Sequence, residues 1–396
     1  MGGAIRSAPS EISEVQMPKQ AFIAEQIFDG FDWHQRSALV VSDGRVEGLI
    51  AANSPTDAER VPVDGMIVPG FIDLQVNGGG GALFNDTPTL AAIETICTTF
   101  ARFGTTACLP TFITDTVDKG EQAIAAGIAA TGRVPGFLGL HLEGPHLSVA
   151  RKGAHDPALI RPMDEADIAR LIAARSKLPN LLVTVAAETV DPTQISRLVA
   201  AGIVVSIGHS DATYAQMQAA VAAGASMVTH LFNAQSQLSN REPGVVGSAL
   251  DLGPLHAGLI ADGIHVHPAI MGAAIRAKRG PGRIFLVSDA MSPTGTDAES
   301  FVLTGRQVSR KQGALRLADG TLAGADLTMD AAIRTLVQAV GIDLGEALRM
   351  ASLYPAQAMR LGSDYGHLRR GARADFAVLD AGMTVQQISM APAQTN

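Results

Sequence analysis

Between residues 66 and 289, short and continuously apolar segments alternate with alanine-rich segments of helical period. Such strands are typical of a parallel sheet, because crossover helices cover both of its faces. Helical patterns separate several of these strands, at 89–103, 165–177, 191–201, 213–223 and 268–279. Eight strand-plus-crossover units over roughly 220 residues predict a (β/α)8 TIM barrel in the α/β class. The eight predicted strands span 66–76, 105–110, 137–143, 181–187, 203–209, 226–231, 256–261 and 283–289.

A doubly wound open sheet is the alternative architecture for the same alternation. Its dinucleotide-binding form carries a G-x-G-x-x-G turn after the first strand, and this chain does not. The four glycines at 78–81 follow that strand in a different pattern. We interpret them as a flexible loop of an active site.

The two ends of the chain have a different texture from the barrel region. Short alternating stretches with Asp-Gly turns precede it, and another predicted strand at 375–380 follows it. Short strands at 301–317 and helices at 330–340 and 344–359 lie between. We expect both ends to form one small β-sandwich domain beside the barrel. The predicted organisation is a flexible extension (1–19), the N-terminal segment of the sandwich (20–65), the barrel (66–355), and the C-terminal segment of the sandwich with a tail (356–396).

Composition restricts the partners of the chain. A hydrophobic fraction of 47% with 17% charged residues predicts a large buried core. The net charge of −8 argues against a general nucleic-acid binder, so any phosphate must be bound by a few placed cations. No apolar run is long enough to span a membrane, and the N-terminus lacks a signal-peptide core. Cys97 and Cys108 are expected to be buried thiols, and we expect a cytoplasmic protein.

Ionisable residues stand at the ends of four predicted strands. Glu143 ends strand 3, His209 strand 5, His230 lies at the end of strand 6, and Asp289 ends strand 8. In this fold the active site lies at the C-terminal ends of the strands. One carboxylate and two imidazoles at one mouth are typical ligands of a catalytic divalent metal, and Asp289 could then act as a general base. A lone strand-end histidine is more often structural, but three such groups together favour a metal site.

His141 lies two residues before Glu143, so both side chains should face the barrel interior. It could be a ligand. We favour a second-shell role, in which it orients Glu143 or the metal.

Several segments resemble the N-acetylglucosamine-6-phosphate deacetylases of the amidohydrolase superfamily. They occur in one order between about residues 69 and 355. The segments are PGFIDLQVNG (69–78), HLEGP (141–145), GHS (208–210), THLFNA (229–234), REPG (241–244), ADGIHV (261–266), LVSDA (286–290) and LTM (327–329).

The resemblance implies a role for each matching residue. Glu143, His209 and His230 would hold the metal, and Asp289 would be the catalytic acid and base. His155 would polarise the acetamide carbonyl. The groups implied to bind the sugar phosphate are Asn233, the backbone of Ala234, Arg241 and His265.

The resemblance also bears on assembly. The arginine of this family can reach the phosphate across a dimer interface, which makes a homodimer the expected assembly. Pairing of Arg241 with the adjacent Glu242 is the structural alternative.

The chain departs from the wider superfamily at the end of strand 1. Many amidohydrolases carry two histidines there, which bind a second metal, whereas this chain has Gln75 and Asn77. Neutral amides are poor ligands for zinc-like ions. We therefore expect one divalent metal per subunit, zinc in the first place, with iron, cobalt or manganese as alternatives. Gln75 is expected to hydrogen-bond a water near the site.

The function implied by the resemblance is hydrolysis of N-acetylglucosamine 6-phosphate to glucosamine 6-phosphate and acetate, in amino-sugar catabolism. A deacetylase of a related N-acetyl amino sugar phosphate is one alternative, and another barrel amidohydrolase, such as a cyclic amidase or a deaminase, is a second. A non-catalytic sugar-phosphate binding protein belongs to a different class. Asp289 argues against that class, because a binding protein needs no general base.

Overall fold

The computed structural model describes residues 18–392, so residues 1–17 of the predicted extension and residues 393–396 of the predicted tail lie outside it. Its centre is a sheet of eight parallel strands, each paired with the next along the chain. Between the last strand and the first, the Asp289 amide donates to the Gln75 carbonyl oxygen at 2.9 Å, and Val76 bridges Ala290. The predicted TIM barrel is thus confirmed, and the alternative of a doubly wound open sheet is wrong. The strands are Phe71–Val76, Thr105–Ile113, Leu140–Glu143, Leu181–Val185, Val204–Ile207, Met227–Val228, His256–Leu259 and Ile284–Leu286.

The predicted first strand is two strands in two different sheets. Met66–Pro69 belongs to the β domain that the two chain ends form, which we call the terminal domain. The barrel begins at Phe71. Gly70 lies between the two strands, where its backbone packs closely against Thr106. A Cβ on Gly70 would lie 2.1 Å from Oγ1 of Thr106. Only glycine fits this position. The barrel strand therefore starts five residues later than the pattern predicted.

Helices cover the outside of the barrel, and the five predicted crossover helices are confirmed. The helices Val117–Ala130 and Gly244–Asp251 were not predicted, since their glycines weaken the helical pattern. The predicted helix at 344–359 is two helices that meet at Ser352. The helices are Leu90–Ala101, Val117–Ala130, Glu165–Arg175, Pro192–Ala200, Tyr214–Ala222, Gly244–Asp251, Pro268–Ala277, Met329–Thr335, Leu344–Ala351 and Leu353–Ala358, with a 3-10 turn at Val149–Arg151 and a π turn at Leu336–Val340.

Side-chain caps determine where several crossover helices begin. Asp164, Asp191 and Thr213 each accept a hydrogen bond from a first-turn amide, and each belongs to a capping box. Such a cap stabilises a helix by about 1 kcal/mol. These caps fix where the loops that follow barrel strands 3, 4 and 5 end and the next helices begin.

Both ends of the chain contribute to one β domain, as predicted. Phe376–Leu379 pairs antiparallel with Met66–Pro69, which in turn pairs with the N-terminal strand Gln20–Phe28. Phe22 and Phe376 pack edge to face inside this domain, with ring centroids 4.9 Å apart. The remaining strands are Trp33–Ser42, Arg45–Ala51, Glu59–Pro62 and Val385–Ser389.

A four-stranded antiparallel sheet follows the last barrel strand and covers the barrel mouth. We call it the mouth sheet. Its Leu303 and Leu315 are fully buried in one cluster with Leu83, Ile113 and Met291 at the barrel mouth. Alternation at 301–317 predicted short strands here but not their position. The strands are Ser300–Leu303, Arg306–Lys311, Ala314–Leu317 and Leu322–Ala325.

The glycine run at 78–81 is an ordered hairpin and not the flexible loop that we expected. Gly78–Gly79 pairs with Ala82–Leu83, and the Gly78 amide donates to the Ala290 carbonyl oxygen at 3.0 Å. A Cβ on Gly79 would meet the Phe100 ring at 2.6 Å. The glycines therefore serve close packing beside the mouth.

Cys97 and Cys108 are buried free thiols, as predicted, with their sulfur atoms 3.6 Å apart. Within residues 18–392, none of the helices combines the length and the apolar character that crossing a bilayer requires.

Candidate metal and substrate site

Most of the predicted site residues line one cavity at the C-terminal mouth of the barrel. Its volume is about 490 Å³, which lies in the range of small-molecule sites. The mouth sheet forms one wall of it. The predicted residues in its lining are Glu143, His155, His209, His230, Asn233, Ala234, His265 and Asp289.

The three predicted metal ligands converge within this cavity. Oε1 of Glu143 lies 3.0 Å from Nε2 of His230 and 3.2 Å from Nε2 of His209. The two Nε2 atoms are 3.1 Å apart, and all three side chains are buried. One carboxylate oxygen and two imidazole nitrogens that meet in this way form a donor set that fits a zinc-like ion.

The hydrogen bond on the far side of the His209 ring supports this fit. Nδ1 of His209 lies 2.9 Å from the carbonyl oxygen of Arg151. A carbonyl oxygen can only accept, so Nδ1 carries the proton. A neutral His209 then presents the lone pair of Nε2 to the cavity, as a metal ligand must.

The ionised form of Glu143 is stabilised by the same two histidines. Burial alone would raise its pKa, but the imidazole groups of His209 and His230 beside Oε1 hold the pKa well below its usual value. Glu143 is therefore a carboxylate, the form that binds a cation.

His155 is a fourth group near the same point. Ligand atoms of Glu143, His155 and His209 lie within 4.8 Å of one another, so this set could also hold an ion. The set with His230 is tighter, with every separation at 3.2 Å or below. Nδ1 of His155 lies 2.7 Å from Oγ1 of Thr114. Burial, followed by the neighbouring His209, lowers the pKa of His155 well below its usual value.

Two amide side chains hold Asp289. Asn77 donates to its Oδ1 at 2.7 Å, and Gln75 donates to the same oxygen at 3.1 Å. Gln75 also donates to Oε2 of Glu143 at 3.2 Å, so it bridges the two carboxylates directly, whereas we expected it to contact a water. Burial raises the pKa of Asp289 to about 6, despite the opposing effect of His230.

Three of these residues share an unusual backbone conformation. His209, His230 and Asp289 have φ angles of +48°, +28° and +50°, in or near the left-handed region that side chains other than glycine rarely adopt. Each follows the end of a barrel strand. Strain of this kind persists where the surrounding structure imposes it, and it is common at functional sites.

The structure corrects the predicted role of His141. Its Nδ1 lies 3.3 Å from Oγ1 of Thr111, and its Nε2 lies 2.7 Å from Oγ1 of Thr184. Both nitrogens are thus engaged by hydroxyl groups, and neither contacts the Glu143 carboxylate or is free to bind a metal. Burial lowers the pKa of His141 to about 4, so the ring is neutral. His141 joins barrel strands 2 to 4 instead.

The groups predicted for the sugar phosphate are only partly brought together. Asn233, Ala234 and His265 line the cavity, and Asp262 fixes the ring of His265 through its Nδ1 at 2.6 Å. Arg241 is exposed on the loop before helix Gly244–Asp251 and does not line the cavity of its own subunit.

Within residues 18–392, Glu242 does not form the alternative ion pair with Arg241. Oε1 of Glu242 instead accepts the amides of Tyr214 and Gly244 at 2.7 and 3.0 Å. Arg241 therefore keeps a charge that Glu242 does not neutralise through an ion pair.

Two arginines line the cavity, and neither was predicted to bind substrate. Arg151 is held by Asp211 at 2.8 Å, whereas Arg316 of the mouth sheet binds only the Gly320 carbonyl oxygen, at 2.9 Å, among the described residues. Thr114 and Asp262 were also missed. The Asp-x-x-His spacing could have indicated that Asp262 contacts His265. Thr114 gave no comparable signal, because the predicted strand 2 ended at residue 110, four residues before it.

Comparison with known proteins agrees with this geometry. The profile described as the amidohydrolase family matches residues 66–395. An N-acetylgalactosamine-6-phosphate deacetylase of Shewanella sp. is 42% identical over 87% of this chain and 88% of that protein. An N-acetylglucosamine-6-phosphate deacetylase of Haemophilus influenzae is 35% identical over 91% and 95%.

Solved structures show the same similarity. N-acetylglucosamine-6-phosphate deacetylase from Pasteurella multocida superposes with a TM-score of 0.90 at 33% identity, covering 96% of this chain and all of that chain. A Mycobacterium smegmatis variant, in complex with N-acetyl-D-glucosamine-6-phosphate, has a TM-score of 0.87 at 32% identity, over 95% and 99%.

Proposed function

The chain belongs to the amidohydrolase family, and we propose that it hydrolyses N-acetylglucosamine 6-phosphate to glucosamine 6-phosphate and acetate, in amino-sugar catabolism. The observation that carries this proposal is the convergence of Glu143, His209 and His230 on one point, with Asp289 in the same cavity. Relatives named N-acetylglucosamine-6-phosphate deacetylase, at about one-third identity, support it over nearly the whole chain.

We propose that Glu143, His209 and His230 hold one divalent ion, zinc in the first place, with iron, cobalt or manganese as alternatives. Such an ion, when bound, polarises a carbonyl oxygen and makes water more acidic. Gln75 and Asn77 direct their NH2 groups at carboxylates, and their neutral amide oxygens are poor ligands for a zinc-like second ion. This arrangement supports a single ion per subunit.

We assign the proton transfer to Asp289. Asn77 and Gln75 both donate to Oδ1, which leaves Oδ2 without a protein donor among the described residues. Oδ2 takes a proton from water as the water oxygen attacks the acetamide carbon. As the C–N bond breaks, Asp289 returns that proton to the leaving amine. A pKa of about 6 suits a group that must both accept and release a proton near neutral pH.

His155 acts on the other side of the carbonyl in this proposal. Its ring is buried beside His209, with centroids 4.3 Å apart, and it lines the same cavity. An N–H donor at this position stabilises the negative charge that develops on the acetamide oxygen.

The phosphate end of the substrate is assigned to Asn233, the backbone of Ala234 and His265 in the cavity, with Arg241 contributed by the second subunit of a homodimer. Ala234 has a φ of +49° at the cavity wall. Charge-assisted bonds to a phosphate are among the stronger hydrogen bonds in proteins. The homodimer and the cytoplasmic location stay predictions.

Replacing Arg241 with alanine should separate phosphate binding from catalysis. We expect KM for N-acetylglucosamine 6-phosphate to rise about tenfold or more, because a charge-assisted bond contributes roughly 1.5–3 kcal/mol. KM for N-acetylglucosamine itself should change little. Steady-state kinetics on both sugars measures this. The matched control is Arg133→Ala, which removes an exposed arginine at the opposite end of the barrel. Equal changes on the two sugars would contradict a phosphate contact.

A second candidate substrate is N-acetylgalactosamine 6-phosphate, the 4-epimer, because the relative with 42% identity carries that name. Acetate release from both epimers, with added divalent metal, tests the proposal. We expect turnover of at least one, and the larger kcat/KM identifies the substrate. Binding of both sugar phosphates without release of acetate would instead favour a non-catalytic binding protein.

A further inference from the structure

Thr114 is a buried hydroxyl residue in direct contact with His155. It follows barrel strand Thr105–Ile113, has a relative exposure of 1%, and its Oγ1 lies 2.7 Å from Nδ1 of His155. The opposite nitrogen, Nε2, is the one left to donate to the acetamide oxygen. Thr114 therefore lies where it can control what His155 presents to the cavity.

The contact between Thr114 and His155 requires a glycine at position 144. Gly144 has a φ of +88°, and a Cβ on it would lie 2.2 Å from Oγ1 of Thr114. No larger residue fits beside the hydroxyl group. The glycine that follows Glu143 thus allows Thr114 and His155 to meet.

The direction of the hydrogen bond follows from the other contact of Thr114. A hydroxyl group has one proton and can donate it to Nδ1 of His155 or to another acceptor. The alternative is the backbone carbonyl oxygen of Glu143 at 3.5 Å. Hydroxyl hydrogen bonds are normally 2.5–3.0 Å long, so the two distances favour donation to Nδ1 at 2.7 Å over donation to the carbonyl oxygen at 3.5 Å.

We propose that Thr114 is a positioning residue: by donating to Nδ1 it keeps the proton of the neutral His155 ring on Nε2, as a donor for the acetamide oxygen. The inference rests on the proposed function for its catalytic consequence only. The proton position itself is a property of this chain.

His209 shows the opposite arrangement in the same cavity. Its Nδ1 faces the carbonyl oxygen of Arg151, which accepts and cannot donate. Its Nε2 is therefore a lone pair that suits a metal, while Nε2 of His155 carries hydrogen and does not. The two partners, a carbonyl and a hydroxyl, thus separate a ligand histidine from a donor histidine, although both lie within reach of Glu143.

Removal of the hydroxyl group tests the catalytic consequence. Thr114→Val should lower kcat about tenfold or more, the scale of a lost polar contribution in the transition state, and leave KM within about threefold. Thr114→Ser, which keeps the hydroxyl group, should stay within about threefold of wild type in kcat. The matched control is Thr105→Val at the start of the strand that precedes Thr114, because Oγ1 of Thr105 is buried without a hydrogen-bond partner. Equal losses in the valine and serine variants would overturn the inference.

A spectroscopic measurement tests the proton position without any substrate. Protein with 15N-labelled histidine, prepared with and without zinc, should show His155 protonated on Nε2 in wild type and in Thr114→Ser. The His155 signal is assigned by its loss in His155→Gln. A wild-type ring protonated on Nδ1 refutes the inference even if the valine variant does not fold. If the ring is protonated on Nε2 but no acetyl sugar phosphate is hydrolysed, the proposed function fails and the inference on Thr114 stands.

Discussion

Asp289→Asn should lower turnover by about 10³-fold or more, since positioned general acid–base catalysis contributes roughly 10²–10⁴-fold. The asparagine keeps an oxygen that can accept from Asn77 and Gln75, so the site should retain its shape. It cannot accept the proton of water or return one to the amine. We therefore expect normal metal content and nearly normal KM, with kcat alone reduced. Steady-state kinetics together with elemental analysis measures both.

The control for this variant is Asp297→Asn, an equal loss of charge at an exposed position outside the cavity lining. It should behave like wild type. An Asp289→Asn enzyme within tenfold of wild-type turnover would show that another group moves the proton. A variant that also lost its metal would show that Asp289 acts as a ligand.

His209→Gln should remove both the ion and the activity. Wild-type protein should hold one ion per chain after dialysis against metal-free buffer. Loss of a residue that merely supports a ligand costs about 10–100-fold in affinity, and loss of the ligand itself should cost more. We expect the variant to retain less than about a tenth of an ion per chain and about 1% of wild-type turnover or less. Elemental analysis beside an acetate-release assay gives both values.

His34→Gln is the matched control for this loss, because His34 lies in the terminal domain, 3.1 Å from Asp29. It should bind the ion as wild type does. Two stoichiometric ions in active wild-type protein would contradict the single site. Full metal content in His209→Gln would contradict the ligand assignment and favour a set that includes His155.

The barrel could be predicted from the sequence because its strands are continuous apolar runs, and each is separated from the next by a helix-length segment. Strand ends were harder to predict. The second strand runs to Ile113, three residues beyond its predicted end. Helix Val117–Ala130 was missed because its two glycines lower helix propensity, which packing against the barrel outweighs.

The convergence of the strand-end residues was predictable for a related reason. In a parallel barrel all eight strands end at one mouth, so residues far apart in sequence, such as Glu143 and His230, must approach each other once the fold is known. His141 shows the limit of this reasoning. Alternation along a strand tells which face a side chain occupies, but not which partners it finds there, and the ring bonds to two threonines instead of Glu143.

The sequence by itself determined the barrel, the strand ends that carry ionisable groups, and the resemblance that gives them roles. The tertiary structure alone decided how those groups are held: the amides that fix one oxygen of Asp289, the carbonyl that orients His209, and the hydroxyl of Thr114 on His155. It also placed the mouth sheet over the cavity and Arg241 outside it. The physical reason is range: apolar periodicity and strand polarity are local properties that a pattern records, whereas a hydrogen bond depends on distances of a few tenths of an ångström between distant segments.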